Sequence, residues 1–220
     1  MIKIKKLPKP QILIENAAEW TKQYCSQIDL GIKPNNDLAL KYNNPVIKDT
    51  LEKETHGKCA YCESKIKHVA YGDIEHIFPK TKRPDLYVEW DNLTLACEQC
   101  NRSGKRTYYD SKLPLINPYI DQPEVHLQDI GPLIMPVMYD ERADITEKVL
   151  KLNRPALIER RTERIKAVEM LLRAWSKETN QAVKDMLKEQ LCDEFSNDKE
   201  FSSTVKGFLV SRGFPIDVAS

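Results

Sequence analysis

The sequence predicts an α+β fold that is mainly α-helical, with a small cysteine-framed core flanked by N- and C-terminal helices. Three observations carry this. Two Cys-x-x-Cys pairs, Cys59/Cys62 and Cys97/Cys100, bracket an insert that contains an extended run over residues 73–77. On both sides of it, apolar residues recur at the three-to-four spacing of amphipathic helices. Gly and Pro stand where those patterns stop.

Taken in order, residues 1–10 carry Lys3, Lys5, Lys6 and Lys9 with two prolines. They read as an extended, solvated arm. Leu13, Ala17, Trp20, Tyr24 and Ile28 form a helical stripe that Gly31 ends. Residues 33–44 read as loop, and Asn44-Pro45 caps and opens a helix that runs to about His56 before Gly57. The cysteine-bracketed block follows, with Pro79 ending its extended run and a short helix over 98–106. Residues 107–143 are rich in Pro and Tyr and read as loops with a β-hairpin around 132–140. The last third is helical: 144–152, a longer helix opened by Asn153-Arg-Pro155, then 180–195 and 198–212. Leu157, Ile165, Val168, Leu172 and Trp175 share one face of the longer helix. This divides the chain into an arm and helices (1–56), a core (57–110) and a loop, hairpin and helical region (111–220).

At 220 residues the chain can bury a real core. Lys and Arg number 34 against 33 Asp and Glu, so no global basicity advertises nucleic acid. No apolar run has the length of a membrane span, and no apolar stretch follows the basic N-terminus as in a secretory signal. The expectation is a cytoplasmic protein without membrane contact. Thiols stay reduced there, and paired cysteines favour metal over disulfide. Cys25 and Cys192 stand alone and read as buried apolar thiols.

Two Cys-x-x-Cys turns supply four thiolates, which suits one closed, structural Zn²⁺ site of Cys59, Cys62, Cys97 and Cys100. That shell has no open position for chemistry, and His56 and His68 are left as ordinary polar residues. Closing it brings Asn101, next to Cys100, toward Glu75 and His76. A carboxylate and an amide oxygen are hard ligands suited to Mg²⁺ or Mn²⁺, and a free imidazole is a base near neutral pH.

Glu75-His76-Ile77-Phe78-Pro79, then Asn92-Leu93, then Cys97-Glu-Gln-Cys100-Asn101-Arg-Ser-Gly-Lys105 resembles the HNH (ββα-metal, His-Me finger) endonucleases. The resemblance implies a small ββα-metal core. It implies Glu75 and Asn101 as ligands of the catalytic cation, His76 as general base, and Asn92 as the residue that orients the His76 imidazole or its backbone. Lys80, Arg102, Lys105 and Arg106 flank the motif and are candidate phosphate contacts, with Lys82 and Arg83 beside them. Asp73 reads as support for the turn rather than a ligand. A narrower likeness, in Lys58-Cys-Ala-Tyr-Cys-Glu63, Ile74 to Lys80, Glu89-Trp-Asp-Asn-Leu93, Leu115-Ile-Asn-Pro118 and Leu150-Lys-Leu-Asn-Arg154, is to the PtuB family, nuclease subunits of Septu and retron-associated anti-phage systems. It implies an ATPase partner of the PtuA type and a role in phage defence. The expected substrate is DNA, though the same chemistry serves RNA. The competing reading is a non-catalytic zinc module that binds nucleic acid or recruits a partner; it gives no reason for Glu75, His76, Asn92 and Asn101 to occur together.

Overall fold

The computed structural model describes residues 1–66 and 72–216; His68 lies outside them. Helix α1 (Gln11–Asp29) buries Leu13, Ala17 and Tyr24 and stops at Gly31, whose φ of 70° suits a residue without Cβ. A single helical turn, α2 (Asn36–Ala39), stands where loop was expected, because the Asn35 side chain accepts the Leu38 N–H at 2.9 Å and Leu38 is buried. Helix α3 (Pro45–Glu54) has the expected Asn44 cap, with Oδ1 accepting Val46 N–H at 2.9 Å.

Strand β1 (Asp73–His76) pairs antiparallel with β2 (Leu93–Ala96), setting Glu75 opposite Thr94 and His76 opposite Leu93. The following helix, Gln99–Lys105, is a π-helix rather than an ordinary short helix. Gly104 lies so close to the helix over Glu141–Leu150 that a Cβ there would meet Val149 O at 2.9 Å.

Beyond α4 (Pro123–His126), the hairpin is β3 (Leu127–Ile130) and β4 (Leu133–Pro136). It falls earlier than expected because Gly131, at φ 57°, with Pro132 makes the turn between the strands. Helix α5 (Glu141–Leu150) starts three residues before the expected 144, where Asp140 accepts Ala143 N–H at 2.9 Å. Helices α6 (Pro155–Lys177), α7 (Gln181–Asp193) and α8 (Ser202–Ser211) complete the chain. The Asn180 cap of α7 is present, with its Oδ1 3.3 Å from Val183 N.

Two apolar cores result. The larger joins Leu13, Ile47, Leu51, Tyr87, Leu93, Leu95, Ile116, Ile134 and Leu150, so residues from α1 to α5 pack together around the sheet β1–β2. The smaller joins Val168, Leu191, Val205, Leu209 and Phe214 of α6–α8, with Ile165, Leu172 and Trp175 against it.

The N-terminal arm is not a solvated tail. Met1 and Ile4 are buried, and Ile4 N–H bonds Pro118 O at 2.8 Å. Lys6 donates to Leu93 O at 2.6 Å and to Glu54 at 3.1 Å, and its ammonium lies 4.0 Å over the Trp90 ring. Burial pulls the Lys6 ammonium down, and Glu54 opposes that. The Lys6 charge is therefore spent inside the fold, while Lys3 and Lys5 stay exposed. Cys25 and Cys192 are half-buried rather than buried.

Candidate active site

The four framing cysteines converge. Their sulfurs lie within 4.8 Å of one another, three side chains buried and Cys97 half-buried, and all are free thiols. The first knuckle is a tight turn, with Glu63 N–H bonded to Cys59 O at 3.0 Å and Glu63 at a φ of 63°. It is stitched to β2 by Ala60 N–H to Leu95 O at 2.9 Å, while the second knuckle leads from β2 into the π-helix. The donor set suits zinc: four soft sulfurs gathered close together, three of them buried. Hydrogen bonds from Cys100, Cys59 and Cys97 pull the Cys62 thiol well below its ordinary value, toward the thiolate that binds metal. Arg154, from the start of α6, adds N–H groups to three sulfurs, at 3.6 Å from Cys62, 3.6 Å from Cys100 and 3.7 Å from Cys97.

His76 ends β1, buried at 7% exposure. Its Nε2 lies 2.8 Å from Tyr87 O, and a carbonyl only accepts, so Nε2 carries the proton and Nδ1 keeps a free lone pair. Tyr42 packs edge-on against the ring, centroids 4.6 Å apart. Burial, helped by Lys80 and Lys105 and opposed by the Tyr87 carbonyl, holds the imidazole at about 4. It is neutral at physiological pH.

Asn92 does not touch the imidazole. Its Oδ1 accepts Phe78 N–H at 2.7 Å, and its Nδ2 donates to Phe78 O at 3.1 Å and Leu86 O at 3.0 Å. It ties the chain leaving His76 to the residue before Tyr87, so its hold on the ring runs through backbone.

Glu75 is buried, and burial raises its carboxyl while Lys105 opposes the rise. Lys105 Nζ stands 2.6 Å from Glu75 Oε1 but off the hydrogen-bond direction, leaving that oxygen without a directed hydrogen bond. A buried carboxylate is a hard donor of the kind a divalent cation takes, and here the Lys105 ammonium neutralises it. Asn101 Nδ2 donates to Asp73 Oδ2 at 3.2 Å, and Arg102 grips both Asp73 oxygens at 2.7 and 2.8 Å. Asp73 and Glu75 are two apart on β1 and share its face, so the start of the π-helix is pinned beside Glu75.

The four flanking cations separate. Lys105 is 3% exposed and donates to His76 O at 2.8 Å, so it lies beneath the site instead of on its rim. Lys80 is half-buried over the Tyr42 ring at 4.3 Å. Arg102 is exposed but engaged by Asp73, and Arg106 is exposed at the end of the π-helix with a φ of 51°. Arg83 is spent on Asp85 at 2.6 Å. Tyr87, Tyr42 and Arg154 were not singled out from the sequence. A carbonyl ligand leaves no residue-type signal, and Arg154 was visible only as the last residue of Leu150-Lys-Leu-Asn-Arg154.

Comparison with known proteins agrees with this geometry. Residues 59–106 match the HNH endonuclease family model, so the match runs from the first knuckle to the end of the π-helix. The chain is 34% identical over 130 residues to Septu protein PtuB of Bacillus thuringiensis, covering 58% of this chain and 46% of that one. It is 32% identical over 160 residues to Septu protein PtuB of Bacillus mycoides strain KBAB4, covering 59% and 54%. The chain thus spans about half the length of the curated relatives it matches. Among the described residues no helix is long and apolar enough to cross a membrane.

Proposed function

We propose, from the premise that residues 59–106 are an HNH endonuclease domain, that the chain is a metal-dependent nuclease cutting phosphodiester bonds in DNA. The observation that carries the reading is His76: neutral, with Nε2 tied to Tyr87 O and Nδ1 free, at the end of β1 directly after Glu75.

The four cysteines would hold zinc and fold the site. Glu75 and Asn101 would hold a divalent cation, Mg²⁺ or Mn²⁺, which when bound supplies charge stabilisation to the phosphoryl group. The chain's own part is positional. His76 Nδ1 takes a proton from a water aligned with the phosphorus, and the resulting hydroxide displaces the 3′ oxygen, leaving a 5′-phosphate. The Tyr87 carbonyl fixes the ring's tautomer and stabilises the positive charge that the ring acquires. Asn92 and Lys105 hold the backbone on either side of His76. Arg106, exposed at the end of the π-helix, and Arg102, exposed though paired with Asp73, are the candidate phosphate contacts.

Charge is balanced over the chain, net +1, so tight DNA binding needs a partner. The likeness to the PtuB proteins supports a cytoplasmic anti-phage complex in which an ATPase subunit of the PtuA type is that partner. The test is nicking of supercoiled plasmid with added Mg²⁺ by the wild type and His76→Ala, each assayed for zinc. Loss of cleavage with zinc retained supports the reading; equal cleavage overturns it.

A further inference from the structure

We propose that Arg154 is a positioning residue that offsets part of the charge of the cysteine cluster, so that metal loading and docking of the C-terminal helices onto the core are one event. This rests on the zinc reading above. Four thiolates around a divalent cation carry two net negative charges. Cys59, Cys62 and Cys100 are each at most 1% exposed, where uncompensated charge is costly. A single guanidinium offsets one of the two charges: Nη1 reaches Cys100 Sγ at 3.6 Å, and Nη2 reaches Cys62 Sγ at 3.6 Å and Cys97 Sγ at 3.7 Å. The planar fork makes this possible; an ammonium is a point charge with a different reach.

The same side chain binds the other side of the junction. Nη1 also lies 3.5 Å from Leu150 O and 3.3 Å from Lys151 O at the end of α5, and Lys151 O accepts the Arg154 backbone N–H as well, at 3.1 Å. Arg154 O accepts Leu157 N–H at 2.9 Å and so begins α6. Its neighbour Asn153 brackets Ile134, accepting its N–H at 2.9 Å and donating to its O at 2.7 Å. The buried Arg161 donates to Leu152 O at 2.8 Å and Pro132 O at 3.2 Å. Helix α5, the hairpin and α6 therefore meet at residues 152–154, and the residue of that linker that touches the sulfurs is Arg154. Without the metal nothing holds the sulfurs together beneath the guanidinium that bridges Cys62, Cys97 and Cys100, and the linker loses its anchor on the core.

The experiment uses the full chain with zinc, and with Co²⁺ in its place as a spectroscopic probe. Arg154→Met removes the charge and the fork; Arg154→Lys keeps the charge and loses the fork. Leu157→Ala, one turn into the same helix and buried in the main core, is the control for simple destabilisation. Below all unfolding transitions, Arg154→Met is expected to lose zinc to a chelator about 10–100-fold faster, the scale for residues that support metal ligands. Its sulfur-to-cobalt charge-transfer band is expected at lower energy, because sulfur lone pairs without N–H donors lie higher. Protease cleavage between α5 and α6 should match that of metal-stripped wild type. Arg154→Lys should fall between, and it carries the same test if Arg154→Met does not fold. Leu157→Ala should lower Tm with the band unmoved. An unmoved band and wild-type exchange in the Arg154 variants, or an equal shift in Leu157→Ala, overturns the proposal. Wild type that takes up neither zinc nor cobalt overturns the zinc reading instead.

Discussion

Replacing Asn92 with Ala tests how the fold aims its base. The Asn92 side chain, 3% exposed, makes three hydrogen bonds, to Phe78 N–H at 2.7 Å, Phe78 O at 3.1 Å and Leu86 O at 3.0 Å. Each is worth about 1 kcal/mol net, so losing all three is expected to cost about 3 kcal/mol. For a chain of this size that is roughly 6–12 °C in Tm. The second consequence is local. Leu86 precedes Tyr87, whose carbonyl holds His76 Nε2 at 2.8 Å, and Phe78 follows the same histidine by two. Freeing both lets the imidazole drift, and a displacement near 1 Å costs on the order of 10²-fold in rate. Calorimetry gives the first quantity. Single-turnover nicking, at a temperature where both proteins are folded and with zinc content checked, gives the second. A variant that melts lower but cleaves at the wild-type rate would make Asn92 structural alone; unchanged Tm and rate would refute the argument entirely.

Three further predictions follow from the same site. Burial sets the His76 imidazole at about 4 against the ordinary 6.5, so the unfolded chain takes up a proton that the folded chain refuses. Stability from neutral His76 is thus full above pH 6.5 and lost as pH falls to 4, about 3 kcal/mol in all. Thermal melts over that window, without added divalent cation, should fall more steeply for wild type than for His76→Gln; parallel curves count against it. Lys105→Met removes the group that opposes the rise of the Glu75 carboxyl, so half-saturation of cleavage should need more Mg²⁺, most of all at acid pH. An Mg²⁺ requirement unchanged at acid pH would show that Lys105 does not keep the Glu75 carboxyl ionised. Cys97→Ser should lose zinc and cooperative unfolding together; a zinc-free variant with the wild-type circular dichroism melt would remove the metal from the folding argument.

Local chemistry made much of this fold readable. Asn44-Pro45 and Asn180 cap helices as written, Gly31 and Gly57 stop them, and the run 73–77 is β1 with one residue to spare. The cysteine spacing named the cluster that the structure gathers. What local pattern could not carry was pairing over distance. Lys6 looks like a solvated cation until Glu54 and the Trp90 and Tyr119 rings surround it. Lys105 looks like a phosphate contact until β1 folds over it and it meets Glu75 and the His76 carbonyl. Asn92 was found by motif, but its partners are backbone atoms of Phe78 and Leu86, which no residue type announces. The hairpin was placed late because Gly131-Pro132 reads equally as a strand boundary or as the turn itself.

The most direct test of the account is cleavage of supercoiled plasmid DNA by the wild type and His76→Ala with Mg²⁺, each with its zinc content measured. The account predicts Mg²⁺-dependent cleavage by the wild type, none by the variant, and one zinc per chain in both, since the cluster is made of four cysteines and His76 is not among them. Cleavage by the variant at the wild-type rate, or none by the wild type even with its ATPase partner present, would contradict it.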